Sequence, residues 1–299
     1  MKKIFYLLIV LFSVCKLQAK EYYVAKNGSN KNIGTINKPF RTINKASKIM
    51  KAGDICFIRE GVYHEVVSLN QINGSLTMPY VFKAYKNEHV VLDGSVNLDL
   101  TWKKYQGNIY KAKLKTSIWQ LFVNDISMTS ARWPNGNWND GSVWDKEQSM
   151  AWPEKNKGSY GHHFNKELAS IKGDLTGAII IVNSGSFKTF KSNIIEHIPG
   201  ADNFKYDTKR KNIKVHFSFK GKTHRHGYFL EGKLALLDEE NEWFYNPKSK
   251  EIYLWAPDGK HPENFKIKGK TQSYAFDIAN SSYLKLEGLN FFGTTFKAD

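Results

Sequence analysis

Cysteine is scarce: the 299 residues contain two, Cys15 and Cys56. Cys15 lies in an N-terminal stretch with the order of a secretory leader, so the mature chain keeps Cys56 alone and cannot form an internal disulfide. A zinc site built from four cysteines is excluded for the same reason, and stability has to come from a buried core. Arginine is also rare, with five residues against 39 lysines. Without a zinc-finger or RNA-recognition signature, this argues against nucleic acid as a partner. Glycine-rich phosphate loops, a G-x-S-x-G elbow and an H-E-x-x-H motif are missing, which removes the best-marked nucleotide, serine-hydrolase and zinc-protease chemistries. Past residue 19 no apolar run approaches the ~20 residues that a membrane-spanning helix needs.

What is present is an ordinary globular composition, 41% hydrophobic and 24% charged, with room for one large or two modest domains. Residues 1–19 run from Lys2 and Lys3 through the apolar stretch 4–14 to Leu17, Gln18 and Ala19. That is the charged, apolar, small-residue order of a secretory signal, with cleavage expected after Ala19. A retained N-terminal anchor is the competing reading, and it exports the protein too. The expected location is therefore periplasmic, extracellular or at the cell surface, with no membrane contact after cleavage. Loss of Lys2, Lys3 and Lys16 takes the formal charge from +16 to +13. Such an excess attracts a polyanion such as a uronate or sulfated glycan, although a genome biased toward Lys and Asn would produce the same excess.

From residue 21 to 95 the chain reads as short strands broken by turn residues. Tyr22 to Val24 opens a strand, Asn27-Gly28-Ser29 and residues 34–39 are turn chemistry, and 42–51 places Ile43, Ala46, Ile49 and Met50 on one stripe of a short helix. Gly53 falls where a C-terminal cap belongs. Strands follow at 55–58, 62–67, 80–84 and 90–92. Val81 follows Ile55 by 26 residues and Val90 follows Val66 by 24, a repeat that suggests stacked coils; a β-sandwich is the alternative on spacing alone. From about residue 98 the coil spacing stops while strands continue at 109–114, 119–124, 179–182, 213–219 and 233–237. A hairpin is expected from 242–245 and 251–255 around 246–250. Coil-like strands return at 274–279 and 283–292.

The stretch Tyr23-Val24-Ala25-Lys26-Asn27-Gly28-Ser29, followed by Gly34-Thr35, Pro39-Phe40-Arg41-Thr42-Ile43, Lys45-Ala46, Ala52-Gly53-Asp54 and Gly61-Val62-Tyr63, resembles the opening of secreted right-handed parallel β-helix proteins of the pectate-lyase-like superfamily. Gln120-Leu121-Phe122-Val123-Asn124-Asp125, Ala131-Arg132-Trp133-Pro134-Asn135, Glu242-Trp243-Phe244-Tyr245 and 252–259 resemble the insert of β-helix glycoside hydrolases. The resemblance implies an all-β fold: a right-handed parallel β-helix with a short N-terminal capping helix and an inserted β-sandwich-like domain. The implied boundaries are a signal peptide at 1–19, cap and first coils at 20–97, the insert at 98–270, and resumed β-helix at 271–299. It also implies an exported carbohydrate-active protein, the N-terminal part of a glycoside hydrolase acting on a polysaccharide. A polysaccharide lyase acting on an acidic glycan and a non-catalytic glycan-binding surface protein are the alternatives. In the resembling hydrolases the active site lies on later coils, so the acid and base are expected beyond Asp299, with apolar residues 283–292 left at an open end of the stack.

Trp133, Trp138, Trp144 and Trp152 lie close together among Asn, Gly, Asp and Ser, which suits a loop that stacks aromatic plates on sugar rings. Packing of these indoles inside the insert is the other reading. Arg132 can bind a carboxylate or sulfate with its planar fork or form a structural ion pair. Arg132, Trp133, Asn135, Trp138, Trp144 and His163 are the candidate substrate contacts. His162-His163 and His224-Arg225-His226 have no third ligand nearby, so solvent-exposed histidines are expected rather than a metal site, and no cofactor is expected. Tyr160 and His163 are the candidates for lyase base and acid. Asp238, Glu239, Glu240 and Glu242 lead into the hairpin and read as a solvated acidic turn.

Overall fold

The computed structural model describes residues 19–154, 161–183, 189–209 and 227–299. Residues 1–18 of the expected leader, the strand expected at 213–219, Tyr160 and the His224–His226 pair lie outside the described residues. No helix among the described residues is long and apolar enough to cross a membrane. The chain divides into two compact units, one of Met1–Gly94 with Gln272–Asp299 and one of Ser95–Thr271.

The first unit is a stack of coils in which the chain visits three parallel sheets in turn. The first sheet holds Glu21–Val24, Ile55–Ile58, Tyr80–Ala84 and Leu284–Glu287; the second holds Gly61–Tyr63, Val90–Asp93 and Leu289–Phe292; the third holds Val67–Asn70, Tyr274–Ala279 and Thr295–Ala298. Ile55 lies opposite Val81, as their 26-residue offset predicts. The second offset is corrected. Val90 lies opposite Gly61, and Val67 lies opposite Phe276. Residues 62–67 are not one strand: the chain turns a corner at His64-Glu65-Val66 and changes sheet. Residues 283–292 are divided likewise, at Gly288, whose φ of +66° suits a residue without Cβ. The last three strands are edge strands of their sheets, with Tyr283 and Phe296 exposed and Leu284, Leu286, Leu289, Phe291 and Phe292 half-buried.

Strand alternation builds the core. Tyr22, Cys56, Phe82 and Leu286 form one inward row of the first sheet, and Val24, Ile58 and Ala84 the next. Phe82 meets Phe276 of the third sheet edge to face at 5.4 Å. Helix Ile43–Ser47 is shorter than 42–51, because Lys48 ends it and Gly53, with φ +92°, serves the turn into Ile55–Ile58 instead. Thr42 accepts from Lys45 N at 3.2 Å, and the Glu65 carboxylate accepts from the N–H groups of Ile43 and Asn44 at 3.0 and 2.9 Å. Asp54 pins the preceding turn by accepting from Lys20 N and Lys51 N at 2.9 and 2.7 Å.

Cys56 has no exposed surface, and burial pushes its thiol pKa up, so both access and thiolate are denied to reagents. With Cys15 replaced (C15S), the native protein should leave Cys56 unmodified by an aromatic disulfide reagent, and denaturant should release one thiol. Native labelling as fast as in denaturant would mean that the coil is open at this row.

Among its described residues the second unit is built from three sheets, chiefly antiparallel. One contains Ile126–Ser127, Leu121–Val123, Ile267–Lys270 and Ser95–Asn97; the next Thr129–Ser130, Glu242–Asn246, Glu251–Trp255, Ile109–Lys113 and Lys103–Gln106. The third contains Arg132–Trp133, Gly227–Glu231, Ile179–Asn183, Thr189–His197, Asn203–Tyr206 and His162–Phe164. The expected hairpin forms, with Trp243 opposite Leu254 and Asn246 opposite Glu251. The strand expected at 233–237 is instead the tight 3-10 turn Leu234–Leu236, which buries the adjacent Leu236 and Leu237 together. A strand would send those neighbours to opposite faces.

Candidate functional site

The tryptophan loop of the second unit is held from beneath by Arg132. Strand Arg132–Trp133 pairs with Glu231 and Leu230, which turns the Arg132 side chain inward, where it is 6% exposed. Its Nε donates to Pro134 O at 3.0 Å, an Nη donates to Ser149 O at 2.5 Å, and the guanidinium lies 4.1 Å from the Phe229 ring centre. The fork thus ties together the two ends of the loop instead of facing an anion in solvent.

Short side-chain bonds shape the loop itself. Asn137 N donates to Ser142 Oγ at 2.7 Å, Ser142 N to Asp140 Oδ1 at 2.8 Å, and Asp145 caps Lys146–Ser149 by accepting from Glu147 N at 2.9 Å. The four indoles divide between the two readings. Trp133 is half-buried and tilts against Tyr228 at 6.2 Å, and Trp152 is half-buried as well. Trp138 and Trp144 are 55% and 74% exposed and meet edge to face at 5.6 Å, leaving ring faces open to solvent.

The acidic stretch is only partly the solvated turn expected. Asp238 and Glu239 reach the surface, but Glu242 is 2% exposed. Its Oε1 accepts from Arg132 N at 3.1 Å and its Oε2 from Asp238 N at 3.2 Å. Burial, together with the neighbouring carboxylates Asp238 and Glu239, pushes its pKa up to about 9. Glu242 opens its strand opposite Thr129, and the donors it serves come from a loop and from a strand 110 residues away. No local spacing rule singles it out. Asn135 Nδ2 donates to Asp238 Oδ1 at 3.1 Å. Crowding by surrounding protein raises the pKa of both Asp238 and Glu239, the latter also through the charges of Asp238 and Asp140. Trp138, Asp140, Asn135, Asp238 and Glu239 are thereby associated on one part of the second unit.

The expectation of solvent-exposed histidines is corrected: His163 is buried and His162 half-buried. Strand His162–Phe164 pairs with Asn203–Tyr206, which places His163, 3% exposed, against the rings of Tyr228 and Tyr206 at 5.0 and 5.1 Å. His162 Nε2 lies 2.9 Å from Asn203 Oδ1. Arg132 and His163 both lie inside the unit, where a carbohydrate does not reach. Among the described residues no group of three His, Cys, Asp or Glu side chains could hold a metal ion.

Residues 22–136 match a family described as Pel9A-like, right handed beta helix region. The uncharacterized protein YwoF of Bacillus subtilis is 37% identical over 108 residues, which are 36% of this chain and 23% of that protein. Pectate lyase PEL9 of Emericella nidulans is 34% identical over 77 residues, 25% of this chain and 19% of that enzyme. The matched segments thus span less than a quarter of each curated relative. A solved structure described as a glycoside hydrolase has the same fold over 91% of this chain and 50% of its own, with a TM-score of 0.71 at 17% identity.

Proposed function

The chain belongs to the pectate-lyase-like β-helix superfamily, and from that premise we propose that it is an exported protein that binds and hydrolyses a polysaccharide. Helix Ile43–Ser47 acts in this reading as the cap of the first coil, and Ser95–Thr271 as a β-rich insert that leaves the coils after Gly94 and returns at Gln272. The observation that carries the functional reading is the exposed Trp138–Trp144 pair on the unit that also presents Asn135, Asp238 and Glu239. Open indole faces stack on sugar rings, and the amide and carboxyl groups meet hydroxyls.

Asp238 and Glu239 favour hydrolysis over elimination. A glycosidase works with two carboxyl groups, one of which holds its proton to a higher pH than usual and protonates the leaving oxygen. Both groups have raised pKa values, chiefly through burial, and the charge of Asp238 further discourages ionisation of Glu239. A lyase would need a base such as His or Tyr at the substrate; of the two candidates His163 is buried, and Tyr160 lies outside the described residues.

The test is to incubate the full-length protein with a panel of polysaccharides. New reducing ends without ultraviolet-absorbing unsaturated ends are expected. The double variant W138A/W144A should bind the reactive glycan about tenfold more weakly, as loss of aromatic stacking predicts, while melting at the wild-type temperature because both rings are exposed. D238N should bind but turn over slowly. Unsaturated products would establish the lyase reading instead, and unchanged affinity of W138A/W144A would remove the aromatic platform.

A further inference from the structure

The outer hairpin of the five-stranded sheet carries an excess of positive charge that folding alone does not account for. Residues 103–115 and the turn and strand 246–253 contain seven lysines and one carboxylate, Glu251. Lys103 lies directly opposite Lys111 in register, Lys111 opposite Tyr253, and Lys113 opposite Glu251. Residues directly opposite share a face, so Lys103, Lys111 and Lys113 all stand on one side of the sheet. Glu251 is within 3.6 Å of Lys111 and 3.8 Å of Lys113 and serves both. Among the described residues no carboxylate pairs with Lys103, Lys104, Lys115, Lys248 or Lys250.

Aromatic rings stand among these charges. Tyr105, 44% exposed, meets Tyr253 edge to face at 5.0 Å, and the Lys111 ammonium lies 5.6 Å from the Tyr105 ring centre. Lysines on an edge strand can serve to keep a sheet from pairing with another chain. That accounts for Lys103 and Lys104 on the edge strand Lys103–Gln106, but not for Lys111 and Lys113 on the strand inside it or for Lys248 and Lys250 in the adjoining turn. Two like charges placed directly opposite cost folding stability, and a polyanion laid across the face would relieve that cost.

We propose that this face, Lys103, Lys111 and Lys113 around Tyr105, is an anchoring surface for an acidic polysaccharide bearing uronate carboxylates. Lysine ammoniums pair with the carboxylates while the tyrosine ring packs against a sugar face. The patch contains no arginine, the residue best shaped for nucleic-acid phosphates. The proposal rests on the carbohydrate-active reading above but uses a different set of residues from the tryptophan loop.

The test is titration of the full-length protein with polygalacturonate at low and high salt. The variant K103Q/K111Q/K113Q should bind about tenfold more weakly at low salt and with a shallower salt dependence, whereas K103R/K111R/K113R, which keeps the charge, should bind like wild type. The proposal is overturned if the glutamine variant, folded by its melting profile, binds polygalacturonate as wild type does. It is equally overturned if duplex DNA binds as tightly with the same lysine dependence. Loss of glycan turnover in W138A/W144A alongside an inert lysine face would sink this inference and leave the proposed function standing. Lysine-dependent polygalacturonate binding without turnover of any glycan would do the reverse.

Discussion

Replacement of Glu242 by alanine is expected to cost about 2–4 kcal/mol of stability. The substitution strands the N–H groups of Arg132 and Asp238, which now donate to the two carboxyl oxygens inside the second unit. A buried donor without a partner costs about 1–3 kcal/mol, and here there are two. Glutamine keeps one accepting oxygen but turns an NH2 toward the second donor, so E242Q should lose roughly 1 kcal/mol. The pH dependence separates this from simple packing loss. In the folded protein Glu242 titrates near pH 9, against an ordinary value of 4.5. The folded state therefore keeps a proton that the unfolded chain releases, and the wild type loses stability as pH rises from 4.5 toward 9, by at most about 1.4 kcal/mol per pH unit. Below that window the effect is absent. Glu231, Asp238 and Glu239 are raised too and contribute in the same direction, but E242Q removes only the contribution of residue 242. Urea midpoints should favour the wild type over E242Q most at pH 5 and least at pH 9. Parallel curves for the two proteins would show that Glu242 is ionised in the fold.

Phe82→Ala should cost about 3–5 kcal/mol, the range for emptying a large aromatic site in a closed core. Phe82 has no exposed surface, lies between Cys56 and Leu286 in an inward row, and packs edge to face on Phe276. Its removal takes contacts from two of the three sheets in one step. Leucine refills part of the space, so F82L should cost about half as much. Denaturant unfolding measures both, and because Phe82 and Glu242 belong to different compact units, the losses in F82A/E242A should add. A loss below about 1 kcal/mol for F82A would mean that the coil interior can collapse around the missing ring.

Much of the first unit was legible in the residues. The offset from Ile55 to Val81 became a parallel pairing because a stacked coil repeats its chain length from one layer to the next. The corner at His64-Glu65-Val66 was not legible, since apolar alternation runs straight through a bend that any residues can make. Lys233 to Leu237 failed for a related reason: a short apolar run fits a strand or a tight turn equally well until burial decides.

The candidate site divides along the same line. A loop of Trp, Asn, Gly, Asp and Ser left exposed plates and packed indoles both open, and the fold divides them: Trp138 and Trp144 are exposed, Trp133 and Trp152 half-buried. The sequence by itself determined the β-rich composition, the coil period, the hairpin at 242–255 and the charge excess, because each depends on neighbours in the chain or on simple counts. Only the tertiary structure decided that Arg132 faces inward, that His163 packs among tyrosines, and that Glu242 is buried while Glu239, three residues before it, reaches solvent. Desolvation and hydrogen-bond partners set the state of a polar group, and for Glu242 a partner comes from a residue 110 positions away.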